Sequence, residues 1–251
     1  MRKYYINIDN WQRIYSILRS RSDIRVKNES ATHLFIEGVY FMMRTGAQWR
    51  ELPCYYGKWR TVHKRYESWC SKGIWGYVLE VISSTYDGES LMIDATIMRA
   101  HPCAAGYEKG QNDKQALGRS KGGFTTKVHA VVDALGHALR FSLTPGHRHD
   151  ITQASDLIDG FENSNVIADK GYDSQAFIEQ IENQHCIPVI PSRSNRKNPR
   201  KYDKHLYKER HLVECFFNKI KHFRRVFSRF DKKASSFMGF LAYASIVIWL
   251  R

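Results

Sequence analysis

The stretch LMIDATIM, residues 91–98, decides the fold, because the hydrophobic pattern changes there from helical spacing to that of a buried strand. One carboxylate, Asp94, lies among the apolar residues of this stretch. A buried, ionised carboxylate without a partner is strongly unfavourable. We therefore expect Asp94 to be neutralised by a basic side chain or by a metal ion.

Upstream of this strand, residues 1–86 have the spacing of short helices joined by tight turns. We expect Asp9 to cap the first helix, and the second helix to run over residues 33–43 and stop before Gly46. The third helix ends at Gly73 and carries cations on its outer face, namely Arg60, Lys64 and Arg65. This pattern is compatible with a helix-turn-helix-like DNA-binding unit, and an ordinary helical bundle fits it as well.

Downstream, the pattern predicts a mixed α/β sheet with helices packed on it. A hairpin is predicted over residues 125–143, and a second buried strand, residues 165–169, ends in Asp169. Residues 99–123 are polar and glycine-rich and predict a mobile loop between the first strand and the hairpin. The remaining predicted elements are helices at 151–158 and 174–184, a short edge strand at 187–190 and an apolar helix at 237–250.

A four-residue pattern near the C-terminal end, Y-x2-R-x3-E-x6-K, comprises Tyr207, Arg210, Glu214 and Lys221. At about 100° per residue these side chains share one helical stripe about 60° wide. A carboxylate between two cations and an aromatic ring is a plausible device for holding a metal ion against a phosphate.

The charge of the chain predicts a polyanionic partner. Net charge is +14, and residues 193–233 hold 15 Lys/Arg against 4 Asp/Glu, with aromatic residues between the cations. Nucleic acid is the first candidate for such a segment. The five cysteines are scattered, which predicts neither a disulfide framework nor a zinc site. The chain shows no signal peptide, and its most apolar run is short for a bilayer span, so we expect a cytoplasmic protein with no membrane contact.

Three carboxylates in apolar settings, Asp94, Asp169 and Glu214, would repel one another if the fold brought them together. Divalent cations remove that conflict, and oxygen ligands of this kind suit Mg²⁺ or Mn²⁺. Each acid also has a simpler explanation: Asp94 in a salt bridge, Asp169 opening a turn, and Glu214 paired with Arg210 one helical turn earlier. The occurrence of all three carboxylates together with the four-residue pattern favours a metal site over these three separate explanations. Residues 147–150, His-Arg-His-Asp, predict a loop at a helix start with Asp150 as N-cap rather than a metal cluster.

These motifs together resemble the DDE transposases of bacterial insertion sequences, in particular insertion-sequence family five, whose Y-x2-R-x3-E-x6-K signature is shared with family four. The resemblance covers nearly the whole chain and rests on residues 35–39, 44–53, 93–96, 99–101, 118–123, 127–133, 168–172 and the four-residue pattern. It implies a ribonuclease-H-like mixed sheet with flanking helices, residues 87–251, preceded by a small helical DNA-binding domain, residues 1–86. The 45-residue interval from Asp169 to Glu214 leaves no room for the large β-insertion that some related transposases carry.

The resemblance also implies a mechanism. Asp94, Asp169 and Glu214 would be the catalytic triad and would bind two Mg²⁺ ions, with Mn²⁺ as a substitute. The enzyme would hydrolyse DNA at each transposon end, and the freed 3′-hydroxyl would attack target DNA. Tyr207, Arg210 and Lys221 would contact transposon-end DNA, Arg60, Lys64 and Arg65 would contribute from the N-terminal domain, and joining two ends favours a homodimer associated with the nucleoid. The alternatives are a stand-alone metal-dependent nuclease of the same fold and a DNA-binding protein that has lost catalysis.

Overall fold

The computed structural model describes residues 5–86, 88–106, 113–120 and 123–251. Four α-helices precede the first strand: α1 (Ile8–Arg19), α2 (Glu29–Thr45), α3 (Trp59–Ser71) and α4 (Ile74–Ser83). Their apolar faces follow the predicted spacing, and Gly46 ends α2 in the left-handed conformation that favours glycine. The predicted cap of α1 is wrong, because Asn7 rather than Asp9 accepts the hydrogen bond of a free backbone amide, Asn10 N, at 2.8 Å.

The sheet combines antiparallel and parallel strands. Its strands are β1 (Ser90–Ala100), β2 (Gly118–Ser120), β3 (Gly123–Val132), β4 (Ala138–Pro145), β5 (Asn165–Ile167), β6 (Ile187–Val189) and β7 (Ser228–Arg229). β3 pairs antiparallel with β1, β2 and β4, whereas β5 pairs parallel with β1 and with β6. The other helices are α5 (Ala154–Ile158), α6 (Gln175–Asn183), α7 (His211–Lys221), α8 (Arg224–Phe227) and α9 (Ala234–Trp249).

Both faces of the sheet are covered, and β1 shows how. Met92 and Met98 point into a core shared with α1–α4 and α7–α9, whereas Leu91 and Ile93 point into a second core with α5 and α6. This alternation follows from the two-residue period of a strand. The architecture confirms the predicted α/β class, a mixed sheet with flanking helices.

The N-terminal helices do not have a core of their own. Their buried residues, such as Trp69 and Trp75, lie in one cluster with Phe240 and Tyr243 of α9, and the Tyr66 hydroxyl donates to the Ser236 carbonyl at 2.6 Å. The division at residue 86 therefore stays a prediction about function. The apolar helix predicted near the C-terminal end is α9, which is buried. No helix in the described part of the chain is both long and apolar enough to cross a bilayer.

The prediction of a mobile loop over residues 99–123 is wrong for most of its described residues. β1 continues to Ala100, short 3₁₀ helices follow at Pro102–Ala104 and Asp113–Gln115, and β2 pairs with the start of β3. The apolar pair Ala116 and Leu117 anchors this segment, since both side chains are buried. Residues 107–112 and 121–122 of the predicted loop lie outside the described residues.

Candidate active site

Asp94 and Asp169 come to one place because their strands are parallel neighbours. Met92 of β1 pairs with Ile167 of β5, and each aspartate follows its paired residue by two positions. Two positions along a strand return the side chain to the same face. Both aspartates therefore belong to the sheet face that α7 covers, where Met92 and Ile167 are buried.

The Asp94 carboxylate is largely enclosed, with 20% of its side chain exposed. Its Oδ1 accepts the Ala95 amide at 2.8 Å, and its Oδ2 accepts Nη1 of Arg210 at 2.9 Å. Burial raises the pKa of Asp94, the Ala95 amide and Arg210 oppose that shift, and the carboxylates of Asp169 and Asp150 add to it. Burial therefore outweighs the Ala95 amide and Arg210 in setting the direction of this pKa shift.

Asp169 is fixed by the turn that it opens. Its Oδ1 accepts the Gly171 amide at 2.7 Å and so caps the 3₁₀ helix Lys170–Tyr172. A Cβ atom at position 171 would lie 2.8 Å from the same Oδ1, closer than non-bonded atoms approach. Glycine at 171 is thus required for the carboxylate to hold this position.

Glu214 reaches the site from the first turn of α7. The buried face of α7, which includes Val213 and Phe216, packs against the sheet and leaves the Glu214 side chain 51% exposed. Nη2 of Arg210 donates to Glu214 Oε1, so the guanidinium lies between Glu214 and Asp94. The predicted ion pair between Glu214 and Arg210 is present, and the same guanidinium also pairs with Asp94.

The four-residue pattern does not lie on a single α-helix as predicted. Tyr207 and Arg210 belong to a 3₁₀ helix, Leu206–Arg210, and Glu214 and Lys221 belong to α7. Tyr207 is half-buried, and its ring contacts the Tyr202 ring edge-on with 5.4 Å between the centroids. Burial raises the pKa of Tyr207, Arg210 opposes this shift, and Asp169 adds to it. Lys221 lies about 10 Å along α7 from Glu214. It lines a separate surface cavity of about 540 Å³ with Gly46 and Arg224.

Asp150 and Tyr172 also interact electrostatically with the proposed acidic cluster. The expected N-cap role of Asp150 is wrong, because His149 occupies that position and the Asp150 carboxylate instead pairs with Lys127 Nζ at 2.6 Å. Tyr172 is fully buried, and its hydroxyl has no hydrogen-bond partner among the described residues. Burial raises the pKa of Tyr172, and the carboxylates of Asp150, Asp94 and Asp169 raise it further. Sequence reasoning considered Asp150 only as an N-cap and did not consider the Tyr172 side chain.

The N-terminal cations do not all have the same surroundings. Arg60 and Lys64 are exposed on α3 and line a basic surface cavity of about 750 Å³ together with Arg25 and Lys72. Arg65 is half-buried: its guanidinium stacks on Phe35 at 4.3 Å and donates to the Thr32 hydroxyl and the Arg25 carbonyl. Burial lowers the pKa of Arg65. Of the three predicted cations, Arg60 and Lys64 are therefore exposed, and Arg65 lies beneath them.

As they stand, no three His, Cys, Asp or Glu side chains in the described ranges are close enough together to hold a metal ion. The Arg210 guanidinium explains this, since it separates Glu214 from Asp94. The side chains of Asp94, Asp169 and Glu214 nevertheless fit a divalent cation, because all three offer hard carboxylate oxygens.

Two protein families match the chain. The family described as "Transposase DDE domain" matches residues 86–248. The family described as "Putative transposase of IS4/5 family" matches residues 7–79. Both acidic strands and α7 fall within the first match, and the basic face of α3 falls within the second.

Several individual proteins are similar to the chain. Among solved structures, the piggyBac transposase synaptic complex with hairpin DNA has a TM-score of 0.43 at 12% identity, over 78% of this chain and 52% of that chain. The "Uncharacterized protein y4sN" of Sinorhizobium fredii is 34% identical over 106 residues, which are 42% of this chain and 85% of that protein. The "Putative transposase for insertion sequence element IS6501" of Brucella ovis is 48% identical over 132 residues, 51% of this chain and 99% of that protein.

Proposed function

The chain belongs to the transposase DDE domain family of insertion-sequence transposases, whose members catalyse DNA cleavage and strand transfer, and we propose that Asp94, Asp169 and Glu214 are its catalytic residues. The adjacency of Asp94 and Asp169 on parallel strands, with Glu214 joined to Asp94 through Arg210, supports this assignment most directly. Placement in insertion-sequence family five is a finer assignment, which we propose from the motifs.

The family normally uses a divalent metal. We propose two Mg²⁺ ions here, with Mn²⁺ as a substitute, held by Asp94, Asp169 and Glu214. Bound metal would lower the barrier to in-line displacement at phosphorus by favouring the attacking oxygen and stabilising the leaving oxygen. Asp94 is more enclosed than Glu214 and is our candidate for the shared ligand. Gly171 keeps the Asp169 carboxylate in place through its amide.

Arg210 has two roles in this proposal. In the structure it neutralises Asp94 and Glu214. With cations on those carboxylates, the guanidinium would be free to bind a phosphate of the transposon end, for which its planar fork is well suited. Tyr207 presents a half-buried ring beside Arg210 that could stack on a base. Lys221 lies further along α7 and would contact a more distant phosphate.

The DNA partners that we propose are the terminal inverted repeats of the element and target DNA. The exposed Arg60 and Lys64 and the cavity around them support DNA contact by the N-terminal helices, with Arg65 supporting that surface from below. The strong positive charge of residues 193–233 supports sequence-independent affinity for the DNA backbone. Joining two ends favours a homodimer, and action on chromosomal DNA favours a cytoplasmic, nucleoid-associated protein.

End cleavage by the purified protein with Mg²⁺ tests the catalytic assignment. Asp94→Asn, Asp169→Asn and Glu214→Gln remove one charge each with little change in shape, and each is expected to abolish cleavage of DNA that carries the inverted repeat. Asp156→Asn changes an exposed acid on α5 and serves as the control. Full cleavage by all three site variants would refute the assignment. A strand-transfer assay with pre-cleaved ends then separates a transposase from a nuclease, which would cut without joining.

A further inference from the structure

Asp173 is a buried acid outside the proposed catalytic set. Only 1% of its side chain is exposed. Its hydrogen-bond donors within the described part of the chain all come from one basic segment, residues 193–200. Its Oδ2 accepts the Arg193 amide at 2.8 Å and Nε of Arg196 at 2.9 Å, and its Oδ1 accepts Nη2 of Arg200. Three donors separated from Asp173 by 20 to 27 positions therefore converge on one carboxylate.

The same segment is fastened to the turn that carries Asp169. The Arg193 side chain donates from Nη2 to the Gly171 carbonyl at 2.8 Å and from Nε to the Lys170 carbonyl at 3.2 Å. Lys170 and Gly171 form the 3₁₀ helix that Asp169 caps. The basic segment is thus fixed to the backbone directly beside a proposed catalytic carboxylate.

Arginines and lysines alternate in direction along this segment. Arg196 and Arg200 turn inward to Asp173, whereas Lys197 and Lys201, the residues that follow them, are exposed. The arginine fork matches a carboxylate, and the lysine ammonium acts as a compact, mobile charge suited to a phosphate. The inward arginines therefore determine which cations of the segment remain available to a ligand.

We propose that Asp173 is a positioning residue, which holds residues 193–204 beside Asp169 so that Lys197 and Lys201 contact the phosphates of the DNA strand entering the active site. This inference rests on the proposed function, because the ligand is the DNA that the enzyme cuts. Positioning by Asp173 differs from simple attraction between the basic segment and DNA. Under simple attraction, every acidic side chain near the segment weakens DNA binding by repelling the phosphates.

Asp173→Asn and Asp203→Asn separate these two explanations. Each substitution removes one negative charge, Asp173 beside the segment and Asp203 within it. Asp203 is exposed, and its Oδ1 accepts the amides of His205 and Leu206. Simple attraction predicts tighter DNA binding by both variants. Positioning predicts weaker binding by Asp173→Asn only. The measurement is fluorescence anisotropy of a labelled DNA duplex over a series of NaCl concentrations, with circular dichroism to confirm folding.

A second variant, Lys197→Gln with Lys201→Gln, tests the contacts without touching Asp173. Its plot of log affinity against log salt is expected to be about 1.8 less steep than that of the wild type, since each phosphate contact contributes about 0.9. Asp173→Asn should lose at least as much slope. An unchanged slope in the lysine variant, or wild-type affinity and slope in folded Asp173→Asn, would overturn the proposal. Asp94→Asn should lose cleavage while still binding DNA, so failure of the catalytic assignment would be seen separately.

Discussion

Nη1 of Arg210 donates to Oδ2 of Asp94 across 2.9 Å, joining residues that lie 116 positions apart in the chain. The other terminal nitrogen of the same guanidinium donates to Glu214. Arg210 thereby provides the positive charge that a divalent cation would bring to these carboxylates. Metal ions and Arg210 should consequently compete for Asp94 and Glu214.

Substitution of Arg210 by Gln is expected to strengthen Mn²⁺ binding while it weakens DNA binding. Loss of the guanidinium removes the competing charge, and a gain of roughly fivefold in affinity corresponds to about 1 kcal/mol. Isothermal titration calorimetry in the absence of DNA measures this directly. Lys208→Gln, an exposed cation in the same 3₁₀ helix, is the matched control. Unchanged or weaker Mn²⁺ binding by Arg210→Gln alone would show that the arginine does not compete with metal.

Gly171→Ala is expected to displace the Asp169 carboxylate and to lower the cleavage rate by about 10²-fold, the effect of a misplacement of about 1 Å at a reacting centre. The added Cβ would lie 2.8 Å from Asp169 Oδ1. Gly76→Ala is the control, because a Cβ at position 76 has no atom within 4 Å. Cleavage is measured with Mg²⁺ and a labelled transposon end. Equal rates for the two alanine variants would contradict the role assigned to Gly171.

The parts of this site that sequence reasoning located are those that local pattern encodes. Asp94 lies within one apolar run and Asp169 at the end of another, and the composition of both runs indicates strands. Arg210 and Glu214 are one helical turn apart. The parallel pairing of β1 with β5, which brings the two aspartates together, joins distant parts of the chain. Hydrophobic periodicity does not predict this pairing, and the expectation that the aspartates meet came from the family resemblance.

The missed features depend on contacts between distant parts of the chain. Asp150 pairs with Lys127 across 23 positions, and Asp173 binds arginines at least 20 positions away. Periodicity carries no information about such pairs. The burial of Arg65 against Phe35 was missed for the same reason, since helical spacing shows only that Arg65 lies opposite the apolar face of its own helix. The cap of α1 was predicted wrongly because Asn and Asp are both favourable N-cap residues, so the sequence alone does not distinguish Asn7 from Asp9.

Tyr172→Phe is expected to leave the free energy of unfolding unchanged or to raise it by up to about 1 kcal/mol, because it removes a buried hydroxyl that has no partner among the described residues. The same substitution should weaken Mn²⁺ binding if the hydroxyl serves the acidic cluster. Tyr243→Phe is the matched contrast, since that hydroxyl donates to the Ile36 carbonyl at 3.1 Å and its loss should cost about 1 kcal/mol. Denaturant unfolding compares the two. Equal destabilisation would mean that the Tyr172 hydroxyl is satisfied in solution.

The buried His129 predicts a loss of stability in mild acid. Its Nε2 lies 2.8 Å from the Thr144 hydroxyl, and burial lowers its pKa from the ordinary 6.5 to about 4. Between these two values the unfolded chain binds a proton that the folded chain does not, so the free energy of unfolding falls as the pH is lowered through this window. The full difference is roughly 3 kcal/mol. Denaturant unfolding of the wild type over the same pH range measures this fall.

His129→Gln should flatten this part of the pH profile even if it lowers stability at neutral pH, because glutamine carries no titrating group. His222→Gln changes an exposed histidine at the end of α7 and should leave the profile as in the wild type. The two variants share the loss of one histidine and differ in burial, so the comparison isolates the buried site. An equally steep fall between about pH 6.5 and 4 in His129→Gln would assign the acid sensitivity to other groups.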